Sequence, residues 1–150
     1  MEPVIWDGFV CDLFDLSEFL RGAKKWENVR KKQVKFLVDT GASISVLPRE
    51  LIEGIKVIDQ GITKAQGICK EPTPARKILV GIAILVDGDG IQASNHEVLV
   101  LADKIAEKKL LDILRRIGAS ALLGRLSLDS LNLIIDPKTR KPMKIPLYVL

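Results

Sequence analysis

The sequence predicts a mainly β chain with one longer helix, and three observations carry that expectation. Aromatic residues make up 5% of the 150 residues and hydrophobic residues 47%, so the core rests on Ile, Leu and Val. Short apolar runs recur between turn residues, the pattern of strands entering a core rather than of long helices. Only one stretch, 102–117, sustains a helical period. The length suits a single domain over 1–150, large enough to bury a core without disulfide support.

Taken in order, Gly8 to Leu16 reads as a first strand, with Phe9, Val10 and Phe14 between acidic residues. Ser17 is a plausible cap for a short helix to Trp26, and Glu27 to Lys32 returns the chain to the sheet. Residues 1–32 thus form an N-terminal extension or first hairpin. Gln33 to Val38 alternates and then turns wholly apolar, as a strand does when its end enters the core. After Asp39-Thr40-Gly41-Ala42-Ser43 come a second apolar strand, Ile44 to Leu47, and a helical turn from Arg49 to Ile52 opened by Pro48.

Lys56 to Ile58 reads as a short strand. Ile62 to Cys69 and Arg76 to Val86 are the arms of a β-hairpin, with Pro72 and Pro74 near its tip. Asp87 to Gly90 is a turn, and Glu97 to Leu101 a strand. In 102–117, Ile105, Leu110, Leu111, Leu114 and Ile117 share a face, and Gly118 ends the helix. Ala121 to Arg125 is an apolar strand running into Gly124 ahead of a helix-forming stretch. Leu131 to Ile135 is a strand closed at Asp136-Pro137, and Ile145 to Leu150 supplies one more.

The net charge of +4 is spread in small groups with acidic residues between them and no aromatic platforms beside them. That pattern is solvated surface charge, and no nucleic-acid partner is expected. The longest apolar run, Ile78 to Val86, falls far short of the roughly 20 residues that span a bilayer, so no membrane partner is expected either. An acidic residue near the N-terminus and no long apolar region after it set the expectation of a cytoplasmic protein. Cys11 and Cys69 fit neither a zinc site nor a redox pair and read as free thiols. Asp7, Asp12 and Asp15 alternate awkwardly for a metal site, so neither a metal nor a cofactor is expected. His96, the one histidine, follows Ser94-Asn95 and reads as an exposed loop residue.

One segment carries chemistry. Phe36-Leu37-Val38 delivers Asp39 from a buried strand, Gly41 permits an abrupt turn, and Ile44 to Leu47 returns to the core. Two readings of Asp39 stand side by side. It is a carboxylate accepting backbone N–H bonds within a tight turn, or a reactive carboxylate at the floor of a cleft. About eighty residues on, Leu122-Leu123-Gly124-Arg125 repeats the pattern of an apolar strand ending in Gly before a helix.

This ordered pair, with a hairpin between, resembles the retropepsin-like aspartic peptidases over Gln33 to Lys141. The resemblance implies a closed β-barrel fold and a homodimer in which each chain supplies one catalytic Asp to hydrolyse a peptide or protein substrate. Carried over by position, Asp39 is the catalytic carboxylate, and Thr40, Gly41 and Ala42 support its loop. Ala65, Gln66, Gly67, Ile68 and Cys69 belong to a flap that folds over substrate. Leu122, Leu123, Gly124 and Arg125 pack beneath the loop. Two positions depart from many viral members: Ser43 replaces an acidic residue that would pair with Arg125, and Leu126 replaces an Asp or Asn. The rival from another class is a non-catalytic dimeric binding or assembly module on the same fold.

Overall fold

The computed structural model describes residues 2–67, 71–88 and 90–146. Among them the order is β1 (Ile5–Cys11), α1 (Leu13–Leu20), β2 (Lys31–Val38), β3 (Val46–Leu47), β4 (Ile58–Ala65), β5 (Thr73–Val86) and β6 (Gly90–Leu101). Then come α2 (Lys104–Arg116), β7 (Ala121–Leu123), α3 (Arg125–Leu131), β8 (Leu133–Ile135) and β9 (Pro142–Lys144). The expected mainly β class holds.

The strands run side by side as β1-β2-β7-β3-β6-β5, and β1 also pairs with β5, which closes six of them into a barrel. The length of β5 makes this closure work. Its first half pairs with β4 from Thr73 to Leu79, and Gly81 to Ile84 then pair with β1 along the same edge. Its other edge is filled by β6 from Ala75 to Val86. Where β1 meets β5, a Cβ on Gly8 would overlap the carbonyl oxygen of Ala83. Glycine there lets the two backbones approach closely enough to seal the barrel.

The patterning of the strands follows from this closure. Val34, Phe36 and Val38 of β2 alternate into the barrel, where Ile78, Val80, Ile82 and Ile84 of β5 meet them. The outer face of β1 and β5 is apolar as well because α1 covers it, packing Leu16 on Cys11 and Ala83. That two-sided burial accounts for the unbroken apolar run in β5. Cys11 lies in the covered layer, where burial pushes its thiol up to about 12, well out of reactive range. Cys69 lies outside the described residues.

Several boundaries differ from the sequence reading, among them β3, which starts at Val46, β4, which runs Ile58–Ala65, β5, which starts at Thr73, and β8, which starts at Leu133. Three further differences change what a segment does. The first strand ends at Cys11, and α1 starts at Leu13 with Asp12, not Ser17, as its cap: Asp12 accepts from the N–H groups of Phe14 and Asp15. Strand β6 begins at Gly90 and takes in the whole Ser94-Asn95-His96 stretch. The last described strand is Pro142–Lys144, paired with β8, and residues 147–150 lie outside the described range. The helix expected over 102–117 is α2, capped by Asp103 and buried at Ala106 and Leu114.

Candidate active site

Strand β2 ends at Val38 and the chain turns at Asp39, whose backbone N–H donates to Leu123 O at 2.9 Å. That bond continues the parallel β2–β7 ladder by one rung, so the turn hangs from the end of β7. The rest of the loop rests on the start of α3. Arg125 N–H donates to Ala42 O at 2.8 Å and Leu126 N–H to Ser43 O at 3.0 Å. Two of the N–H groups that a helix start leaves without intrahelical partners are thereby satisfied.

Gly124 sits between these contacts. A Cβ there would lie 2.6 Å from Ile44 C and 2.9 Å from Ala42 O, both backbone atoms that cannot move aside. Gly124 is therefore required by close packing of the loop on the strand end. Gly41 has a different reason from the one read in the sequence. It is absent from the residues with positive φ, so the turn needs no left-handed backbone there. A Cβ at Gly41 would instead stand 3.3 Å from Asp39 Oδ1, the oxygen that accepts the Gly41 N–H at 2.9 Å.

Both readings of Asp39 therefore meet in one side chain. Oδ1 closes the turn, while Oδ2 bonds to no other described group. Asp39 is half-buried and lines a cleft of ≈ 650 Å³. Lys64, Ala65, Gln66 and Gly67, at the end of β4, form one side of the cleft. Leu110 of α2, with Leu99 and Leu122, gives an apolar wall. Asp39 is the one carboxylate among the described residues that line it.

The other residues singled out in the sequence fall as follows. Thr40 is exposed beside Asp39, and Ala42 is half-buried in the loop. Ala65 is buried, and Gln66 and Gly67 are exposed at the hairpin end. Ile68 and Cys69 lie outside the described residues. Leu122 faces the cleft, while Leu123 is buried in the barrel. Arg125 is exposed and makes no ion pair among the described residues. Also among the described residues, no group of His, Cys, Asp and Glu is arranged to hold a metal, and no helix is long and apolar enough to cross a membrane.

The sequence reading missed a buried polar chain under the loop. His96 is not exposed in a loop; it is buried at 6% exposure within β6, pointing inward like Val98 and Val100. Its Nε2 lies 2.7 Å from Ser127 Oγ, which lies 2.5 Å from Ser45 Oγ, which accepts the Gly124 N–H at 2.9 Å. Its Nδ1 lies 2.8 Å from Ser94 Oγ. Burial pulls the imidazole down to about 4. A signal existed: His96, Val98 and Val100 alternate on one face, and Ser127 shares the helical stripe of Leu128 and Leu131.

A model of the aspartyl protease family matches residues 28–125, from the approach to β2 through the start of α3. A comparison with curated proteins finds no match. Among solved structures, the EIAV protease complexed with the inhibitor HBY-793 is similar, at 20% identity over 66% of this chain and 77% of that chain, with a TM-score of 0.35. At that level the likeness adds nothing to the family match. The matched span holds the Asp39 turn, the cleft and the strand end that carries the turn. The chain belongs to the aspartyl protease family, and it is retropepsin-like in having one closed barrel with one Asp-Thr-Gly turn.

Proposed function

We propose that the protein is an aspartic endopeptidase that works as a symmetric homodimer, with Asp39 of each chain forming the catalytic pair. One observation carries this reading: Asp39 is the one carboxylate among the described residues that line its cleft, and one of its oxygens already closes the turn. Hydrolysis of a peptide bond without metal or covalent nucleophile needs a base for the water and an acid for the carbonyl oxygen. Two carboxylates roughly 3 Å apart cannot both ionise, and the proton they share makes one the base and the other the acid. A single chain supplies half of that pair, and a two-fold axis beside the turn supplies the other half from a second copy.

In this mechanism, water held between the two Asp39 carboxylates attacks the scissile carbonyl carbon. The ionised carboxylate takes the water proton as the protonated one gives its proton to the carbonyl oxygen. The tetrahedral diol then collapses: one hydroxyl gives its proton to the carboxylate left ionised, and the carboxyl that took the water proton passes it to the leaving nitrogen as the C–N bond breaks. In this reading Thr40, which is exposed, bonds across the axis, and the Lys64–Gly67 side of the cleft aligns the substrate as an added strand.

Asp39→Asn is expected to abolish cleavage of a denatured protein mixture while leaving a dimer of two 16.6 kDa chains by light scattering. Wild-type cleavage by the Asn variant, or a strict monomer that still cleaves, would sink the reading.

A further inference from the structure

The chain from Ser94 to Gly124 has a direction that proton counting and burial fix together, Ser45 being fully buried and Ser94 half-buried. Ser45 Oγ accepts the Gly124 N–H, so its own hydrogen is available to Ser127. Ser127 then gives its hydrogen to His96 Nε2, and the neutral ring carries its proton on Nδ1, facing Ser94. In this order every buried donor has an acceptor, and the one hydrogen left over belongs to Ser94, which is half-buried and open to water. In the opposite order Nε2–H donates to Ser127 and Ser127 to Ser45, and the Ser45 hydrogen is left with no acceptor among the described groups.

We propose that His96, neutral and protonated on Nδ1, is a positioning residue for the Asp39 turn. Through Ser127 and Ser45 it fixes the Gly124 strand end on which that turn rests. The inference rests on the peptidase reading for its kinetic consequence and on bond geometry alone for its structural one. Asp39 is tied to Leu123 O, Ala42 to the Arg125 N–H, and Gly124 to Ser45, so the chain of hydroxyls ends within one residue of each support.

Protonation at Nε2 imposes the opposite order and strands the Ser45 hydrogen. The burial that holds the imidazole down to about 4 keeps that state away at neutral pH. Among the described residues no charged side chain bonds to the ring from the elements around it. On β5, Arg76 and Lys77 pair with Asp59 and with Glu97 of β6. On α1, Asp15 and Glu18 are met by Lys24 and Arg30. On α2, Glu107 accepts from Arg49 N and Lys108 pairs with Asp112. β3 has no titratable residue, and Arg125 and Asp129 of α3 are exposed.

The test uses the full chain, whose one histidine makes its imidazole signals unambiguous. Nitrogen NMR at pH 7 is expected to show Nδ1–H and an unprotonated, hydrogen-bonded Nε2; an Nε2–H tautomer overturns the proposal. His96→Leu removes the acceptor, and its kcat is expected to fall about tenfold with KM within about twofold, because the turn is displaced and not the binding wall. His96→Gln, whose Oε1 can accept from Ser127, is expected to regain most of that loss. It is also expected to lose the acid-side fall in kcat that His96 contributes. Wild-type kcat in the Leu variant overturns the inference.

Where His96→Leu does not fold, Ser127→Ala keeps the imidazole and breaks the same link, with the same expected loss. A wild-type chain that cleaves nothing sinks the peptidase reading, and the amide signals still decide this one. Those of Asp39, Gly41 and Gly124 are expected to shift in Ser127→Ala and to stay near their wild-type positions in His96→Gln; unmoved signals in Ser127→Ala overturn the proposal.

Discussion

Two buried polar clusters tie this barrel together, and they are built from opposite materials. Around α1, Asp12 and Asp15 are buried carboxylates, and every oxygen is answered. Asp12 caps α1, accepts the Lys56 N–H at 2.8 Å and meets Arg30 at 3.2 Å. Asp15 takes Lys24 at 2.7 Å and both the backbone and the guanidinium of Arg30. Under the Asp39 turn the cluster is neutral: three hydroxyls and an imidazole. The difference follows from where each meets water. The Lys24 and Arg30 side chains keep 26% and 53% of their surface exposed, so the cations stay hydrated while their heads reach inward. Among the described residues no cation bonds to His96, Ser127 or Ser45, and an unpaired charge there would be costly. A fixed charge beneath Asp39 would also bias the ionisation of the carboxylate on which the proposed reaction depends.

The two clusters should come apart in different pH windows. Burial depresses His96 from 6.5 to about 4, so its unfolded form takes up a proton before the folded form does. Its stabilising contribution is present above pH 6.5 and lost as pH falls through 4, and it is worth about 3 kcal/mol over that span. Asp15 is lowered as well, chiefly by its hydrogen bonds to Arg30 and Lys24, from a normal value of 3.8. Its contribution is therefore intact throughout the His96 window and is lost only below it. Denaturant melts of wild type and His96→Gln between pH 7 and 4 are expected to diverge steadily, the variant lacking the acid-side loss. Parallel curves would place the acid sensitivity elsewhere.

The ionic cluster gives a smaller effect when broken. Asp15→Asn keeps the shape and removes the charge, weakening three charge-assisted bonds whose cationic partners can turn to water. A loss of roughly 2 kcal/mol at pH 7 is expected, since that is the scale of hydrogen bonds to charged groups once partly screened. The gap to wild type should begin to close only below pH 3.8, where the unfolded wild-type chain takes up a proton that the folded carboxylate, held lower by Arg30 and Lys24, still refuses. A gap that persists at low pH would mean that packing, not charge, is what Asp15 contributes.

What could be read in the sequence divides along the same line. The Asp39 turn and Leu122-Leu123-Gly124 were legible because each is a local pattern of an apolar strand, a turn residue and a small residue. The alternation of β2 was legible for the same reason. Asp12 was not, because its role depends on Arg30 and Lys56, 18 and 44 residues away in a chain folded by β pairing. His96 was misplaced because Ser94-Asn95-His96 looks like a polar loop until β5 is laid against it and α3 supplies Ser127. Gly41 was expected for its backbone freedom and serves by leaving room beside a carboxylate. Local pattern locates strands and turns, whereas long-range polar partners decide which buried groups are tolerated.

The outer end of the neutral chain gives the smallest effect and the finest test of its direction. Ser94 is half-buried, so in Ser94→Ala water can replace its hydroxyl as the acceptor for the Nδ1–H. Stability is expected to fall by only about 0.5 kcal/mol, the low end for a single replaceable hydrogen bond. The Nδ1–H tautomer should persist, because Ser127 still donates to Nε2 from the buried side. If Ser94→Ala instead moved the proton to Nε2, the ring would be oriented from its exposed end, and Ser127 and Ser45 would follow the imidazole rather than hold it. The comparison with the ionic cluster would then fail at its root: both clusters would be governed by their solvent-facing partners, and the buried hydroxyls under Asp39 would be filling space, not setting the turn.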